Sequence, residues 1–175
     1  RAGVMEKRNV LFVMSSLRNG GAERSLVNLL QLLDYDRYNV DLLLFQNEGM
    51  FLKQVPKEVN IISNCNKLYT LYDNNKAEAL KHPYLSAIHM IGTFISRKKT
   101  NSVAKSRQYR WEHFYKKIVP ELTKEYDVAI AYMQREQTYF LVDKVKAAKK
   151  IAWVHNEYSQ LGHFKEMDLE YFEKV

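Results

Sequence analysis

The feature that most constrains this chain is the alternation of short, continuous apolar runs with segments of helical periodicity. Asn9 to Met14 is such a run, closed by Ser15 and Ser16 and then by Asn19, Gly20 and Gly21, which suits a strand buried on both faces. From Ala22 onward Leu26, Val27, Leu29, Leu30 and Leu33 recur at helical spacing, with Glu23 in the first turn, where the positive end of the macrodipole favours a carboxylate. Val40 to Phe45 reads as a second apolar run, followed by Asn47, Glu48 and Gly49, a short helical stretch to Val55 and a small third strand at Val59 to Ile62. Strands that are apolar throughout, joined by helices, imply a parallel sheet covered on both faces.

Between Ala77 and Thr123 the pattern predicts no strand, only two helices, about Ala77 to Ser96 and Val103 to Lys124, joined by the basic stretch Arg97 to Ser102. Residues 77–124 are thus expected to be a helical, basic insertion. Asp127 to Tyr132 then reads as a fourth buried strand, Gln137 to Ala148 as a helix, and Lys150 to Val154 as a fifth strand that ends in His155, Asn156 and Glu157. Phe164 to Val175 has a helical pattern that stops without a capping signal, so the chain is expected to continue. Arg1 to Val4 precede Met5, where a natural start is expected. The whole is expected to be an α/β, Rossmann-like three-layer domain with a mostly parallel sheet, and 175 residues suit one domain.

Composition narrows the chemistry. With 46% hydrophobic and 27% charged residues the chain is not of the disordered or collagen-like kind. The single cysteine, Cys65, has no Cys or His neighbour at ligand spacing, so neither an internal disulfide nor a zinc site is expected, and a reducing cytoplasm is the expected setting. No apolar run approaches the roughly 18 to 20 residues that cross a bilayer.

In an open parallel sheet, ligands bind beyond the carboxyl ends of the strands. The residues there are polar: Ser15, Ser16, Arg18, Asn19, Gly20 and Gly21 after the first strand, Gln46, Asn47, Glu48 and Gly49 after the second, Gln134, Arg135 and Glu136 after the fourth, and His155, Asn156 and Glu157 after the fifth. Gly20 and Gly21 open a helix, where free N–H groups favour an anion such as a diphosphate, although a plain tight turn explains the pair equally well. No G-x-G-x-x-G and no Gly-Lys-Ser/Thr occurs, which disfavours dinucleotide dehydrogenases and P-loop enzymes. Asp34-Tyr35-Asp36 has the D-x-D spelling of a metal-binding motif, but it falls in a helix-to-strand turn at the opposite edge of the sheet. His155 ends a strand at the ligand edge, where an imidazole can exchange hydrogen bonds or a proton with a hydroxyl, while His82, His89, His113 and His163 are expected to be structural.

The run Ser16-Leu17-Arg18-Asn19-Gly20-Gly21-Ala22-Glu23-Arg24 resembles the amino-terminal signature of family-four retaining glycosyltransferases of GT-B architecture. Tyr126-Asp127-Val128-Ala129-Ile130-Ala131-Tyr132 and Lys150-Ile151-Ala152-Trp153-Val154-His155-Asn156 resemble the same family's fourth and fifth strands. The resemblance covers most of Val10 to Ser63 and Tyr126 to Gly162, and it implies the acceptor-side half of a two-domain enzyme. By that resemblance Gly20 and Gly21 approach the donor diphosphate, His155 contacts the transferred sugar, and Glu48, Gln134, Glu136 and Asn156 contact the acceptor. The family's carboxyl-domain pair of glutamates separated by seven residues is absent. The implied activity is sugar transfer from a nucleotide-sugar donor, with retention and without an obligatory metal or other cofactor, to a polysaccharide, glycolipid or other cell-envelope acceptor. This half alone is expected to be inactive.

The net charge of +7 is concentrated. Arg97, Lys98, Lys99, Lys105, Arg107, Arg110, Lys116 and Lys117 face one acid, Glu112, between positions 97 and 117. Phe94, Tyr109, Trp111, Phe114 and Tyr115 are interleaved with them. This pattern suits peripheral binding to an acidic membrane, with these cations and Trp111 at the inner face of the cell membrane, or else a solvated helix whose aromatics pack on the sheet. The alternative class is a non-catalytic basic module that binds acidic lipid or nucleic acid, although no nucleic-acid-binding motif supports the latter.

Overall fold

The structure is a computed structural model that describes residues 6–62, 68, 71, 80–155 and 170–175. Strands β1 (Arg8–Met14), β2 (Tyr38–Leu44), β3 (Asn60–Ile62), β4 (Glu125–Ala131) and β5 (Lys146–Ala152) form one sheet in the order β3-β2-β1-β4-β5. Every adjacent pair is parallel. The helices are α1 (Gly21–Leu32), α2 (Pro83–Lys99), α3 (Val103–Arg110) and α4 (Glu136–Lys144). The Rossmann-like three-layer domain expected from the apolar runs is therefore the fold observed.

Alternation along β1 shows why both faces are covered. Val10, Phe12 and Met14 join Leu26, Val27 and Leu30 of α1 in one core, whereas Leu11 and Val13 join Trp111, Tyr115, Phe140 and Leu141 in the other. Side chains alternate across a strand, so a run apolar at every position requires two apolar layers. In the second core the rings of Phe45 and Trp111 meet Phe140 edge-on, with centroids 5.8 and 6.4 Å away. Each fully buried large side chain contributes about 1.5–3 kcal/mol.

The insertion is helical, with different boundaries from those its sequence suggests. Residues 77–79 lie outside the described residues, and α2 starts at Pro83, whose missing N–H is no loss in a first helical turn. Arg97, Lys98 and Lys99 are not a linker but the last turn of α2, where cations suit the negative end of the dipole. Gly92 faces the rest of the insertion, and a Cβ there would stand in ordinary contact, 3.4 Å from the Phe114 ring and 3.7 Å from Arg110. The Ser96 and Ser106 hydroxyls meet at 2.7 Å in the buried contact between the helices. After α3 the chain makes a π-helical turn, Trp111–Tyr115, that buries both aromatic ends, and one last α-turn, Lys116–Ile118. The helix therefore stops short of Lys124.

Other expectations are corrected at the far edge. The helix read as Gln137 to Ala148 ends at Lys144, and Lys146 to Ala148 already belong to β5. The ladder to β4, beginning at Glu125 and Lys146, outweighs the helical propensity of this stretch. β5 is no buried strand but an edge whose Lys146 and Lys149 are exposed; lysines on an edge discourage pairing with another chain. Of the terminal helix read from Phe164, Glu170 to Phe172 are helical, and residues 164–169 lie outside the described residues.

The run Val40 to Phe45 is also not apolar throughout, because Asp41 stands in the middle of β2 and is buried. Its carboxylate accepts hydrogen bonds from the Tyr126 hydroxyl at 2.7 Å, the Lys124 ammonium at 2.9 Å and the Asn60 amide at 3.0 Å. Burial alone would raise the carboxyl pKa, but these three bonds and the Lys124 charge outweigh it and hold it below its ordinary value.

Candidate functional site

The strand order reverses between β1 and β4, and in an open parallel sheet ligands bind beyond the carboxyl ends of the strands at such a point. Backbone hydrogen bonds carry the sheet a step beyond its strands. Tyr132 N–H donates to Val13 C=O at 2.9 Å and Trp153 N–H to Ala131 C=O at 2.8 Å. The residues after β1, β4 and β5 are thus rigidly placed on one rim.

At this rim α1 begins at Gly21 with Gly20 as its cap, and no side chain caps it by a hydrogen bond, so the first-turn N–H groups face outward. Gly21 has open space where a side chain would stand, whereas a Cβ on Gly20 would overlap the Glu23 carboxylate. The Tyr132 hydroxyl meets the Ser25 hydroxyl of α1 at 3.1 Å. The His155 ring packs on Tyr132, centroids 4.7 Å apart, and stacks on Trp153 at 5.8 Å and 9°. Burial pushes the His155 imidazole below its ordinary pKa, and the Glu23 carboxylate only partly opposes this, so the ring is neutral at pH 7. Its Nε2 is buried and has no hydrogen-bond partner among the described residues.

Gly20, Gly21 and His155 are therefore brought together, and Glu23, Ser25, Tyr132 and Trp153 complete the group. Trp153 was not singled out from the sequence, and its place two residues before His155, on the same side of an extended segment, was the available signal.

The acceptor candidates are not shown to join this group. Glu48 is half-buried and ion-paired with Arg18, whose Nε donates at 2.7 Å. Gln134 is buried, and its Oε1 has no partner among the described residues. Glu136 is buried and paired with Arg107 at 2.7 Å, directed to the helical insertion rather than the rim. Asn156 lies outside the described residues. Gly49, one of the residues read after the second strand, fixes the rim: it has φ +129°, and a Cβ on it would overlap the Leu17 carbonyl. This close approach lets Phe51 N–H donate to Leu17 C=O at 3.1 Å and Leu17 N–H to Glu48 C=O at 2.9 Å.

The basic segment divides. Trp111 does not face outward; it is fully buried, and its indole N–H donates to Asp143 at 2.8 Å, because an indole ring removed from water needs an acceptor for that N–H. Tyr115 is buried as well. Lys116 pairs with the same Asp143 at 2.7 Å. Lys98, Lys99 and Lys117 are exposed, as are Met90, Ile91 and Phe94 of α2, and the Lys98 ammonium lies 4.4 Å from the Phe94 ring centroid.

Arg97, Arg107 and Arg110 line a cavity of about 290 Å³ between α2 and α3, together with His89, Thr93, Ser106 and Tyr115. The His89 imidazole and the Tyr115 hydroxyl hydrogen-bond at 2.8 Å. Burial, and then the Arg110 charge, push the His89 pKa down. Burial pushes the Tyr115 hydroxyl up to about 12, so it remains protonated and able to donate at neutral pH.

Among the described residues no helix is long and apolar enough to cross a membrane, and no cluster of His, Cys, Asp or Glu is gathered to hold a metal. No protein-family model, curated protein or solved structure matches the chain.

Proposed function

We propose that the chain is the acceptor-side domain of a retaining glycosyltransferase of GT-B architecture, which works with a donor-binding domain on a nucleotide-sugar. The observation that carries this reading is the meeting of an uncapped helix start at Gly20 and Gly21 with a neutral, stacked His155 whose Nε2 is unpaired among the described residues. Helix-start N–H groups bind a diphosphate and stabilise charge that grows on it as the glycosidic bond breaks. Gly21 leaves room for that approach, because neither packing nor a positive φ requires glycine there. The incoming diphosphate displaces the Glu23 carboxylate from the helix start. The His155 Nε2 then takes a hydroxyl of the transferred sugar, holding its ring while Trp153 and Tyr132 fix the imidazole plane.

The acceptor in this reading is a saccharide or lipid-linked saccharide of the cell envelope. An acidic membrane surface is a fitting partner, since exposed Met90, Ile91 and Phe94 adjoin exposed Lys98 and Lys99 on one helix, a combination that suits acyl chains below and anionic headgroups above.

Titration of the isotope-labelled chain with nucleoside-diphosphate sugars, followed by NMR, tests the site. Amide shifts are expected at Gly20, Gly21 and Glu23 together with a change in the His155 ring signals, and His155→Ala should abolish discrimination between the sugar nucleotide and the bare nucleotide. Shifts that leave Gly20, Gly21 and His155 unmoved overturn the reading.

A further inference from the structure

The second cationic site stands apart from the rim and does not depend on the transferase reading. His89, Thr93 and Arg97 lie four residues apart along α2, and Ser106, Arg107 and Arg110 lie on one side of α3. Residues at these spacings share a helix face. The two polar stripes face one another across the cavity, whose volume of about 290 Å³ is about ten times a water molecule's share of the liquid.

Among the described residues the charge balance of the cavity is incomplete. Arg107 has a carboxylate partner, Glu136, at 2.7 Å. Among the described residues Arg110 reaches neutral oxygens, Thr93 Oγ1 at 3.4 Å, Ser106 Oγ at 3.5 Å and the Tyr115 hydroxyl, and its Nε is buried without a partner there. Arg97, at the mouth, forms no ion pair among the described residues. A guanidinium cannot shed its proton at physiological pH, so three of them are held together with one carboxylate counter-charge among the described residues, Glu136. Cations gathered in this way, Arg107 and Arg110 half-buried and Arg97 exposed, repel one another unless an anion joins them.

We propose that this cavity is a binding site for a phosphate monoester, held by Arg97 and Arg110 with Ser106 and Tyr115 as neutral donors. Guanidinium forks match the oxygen spacing of a phosphate and bind it by paired, charge-assisted bonds. Arg110 Nε is the donor that such an oxygen would satisfy. The phosphate is carried by a lipid headgroup or by a small soluble molecule. The apolar groove beside the cavity, lined by Met90 and Phe94 with Arg97 and Lys98, gives a lipid's hydrocarbon a place to lie.

The test is calorimetric titration of the full chain with inorganic phosphate at low ionic strength, comparing wild type with Arg97→Gln, Arg110→Gln and, as a surface control of equal charge, Lys117→Gln. One saturable site is expected, weakened by about tenfold or more in either arginine variant, the loss of a charge-assisted bond, and unchanged in Lys117→Gln. Arg97 is exposed, so its replacement leaves the fold intact even if Arg110→Gln does not. Sedimentation with phosphatidylcholine vesicles containing either phosphatidic acid or phosphatidylserine separates the sources. A preference for phosphatidic acid that Arg97→Gln removes assigns the site to a lipid. Saturable phosphate binding without that preference assigns it to a soluble phosphate. Absence of saturable phosphate binding, or equal weakening by all three variants, overturns the proposal, and neither result bears on Gly20, Gly21 and His155.

Discussion

Single side chains decide more of this fold than their hydropathy suggests. Asp41 interrupts an otherwise apolar strand, and its carboxylate collects Tyr126 from β4, Lys124 from the segment before it and Asn60 from β3. Because its pKa is held down in the folded state, Asp41 contributes stability that is fully present above the ordinary carboxylate value of about 4 and is lost as pH falls through the folded value. Asp41→Asn should lower unfolding free energy at pH 7 by about 2 kcal/mol, the worth of hydrogen bonds to a buried charge. The gap should narrow in urea unfolding at pH 3. A gap of equal size at both pH values would show that the charge of Asp41 is not what stabilises the sheet. Asp41 was hidden within an apolar run because its partners lie up to 85 positions away, beyond any local pattern. His155 was legible, since its place after a strand at the ligand edge follows from the order of elements alone.

At the scale of elements, Asp143 of α4 joins Glu136 and Phe140 in holding the helical insertion to the sheet's outer layer. Asp143 accepts from the Trp111 indole at 2.8 Å, Lys116 at 2.7 Å and the Tyr171 hydroxyl at 3.4 Å. Asp143→Ala leaves the first of these donors buried and unpaired, a cost of about 3 kcal/mol. Hydrogen exchange should show protection lost mainly in α2, α3 and the π-turn, with β1 and β2 little changed; uniform loss across the sheet would mean that the insertion is not a separate unit of stability. The insertion's helices were legible from the absence of strand patterns, but the direction of Trp111 was not. A tryptophan among cations fits a membrane face and a core equally well, and the choice fell to Asp143 and the Phe140 ring. The cationic cavity left a sequence signal that went unread: polar residues at matched helical spacing on both α2 and α3, at His89, Thr93 and Arg97 and at Ser106 and Arg110.

For the whole molecule, the proposed chemistry needs two walls, and this chain supplies one. The Gly20 and Gly21 helix start has open space where a Gly21 side chain would stand, so a donor diphosphate held there meets water on its outer side, and electrostatic stabilisation weakens in water. Residues 1–175 incubated alone with a panel of nucleotide-sugars and saccharide acceptors should give no transfer product by mass spectrometry, and turnover would overturn the view that a second domain completes the site. The alternation of strands with helices and the polar rim were present in the order of residues, because ligand edges follow from chain direction, whereas the bounds and exposure of the edge strand β5 were not. Tertiary structure alone decided which charges are neutralised, sending Glu136 to Arg107 and Glu48 to Arg18 while leaving Arg110 without a carboxylate partner among the described residues. Ion pairing depends on distances of a few ångströms between distant segments, and those distances exist only once the layers have packed.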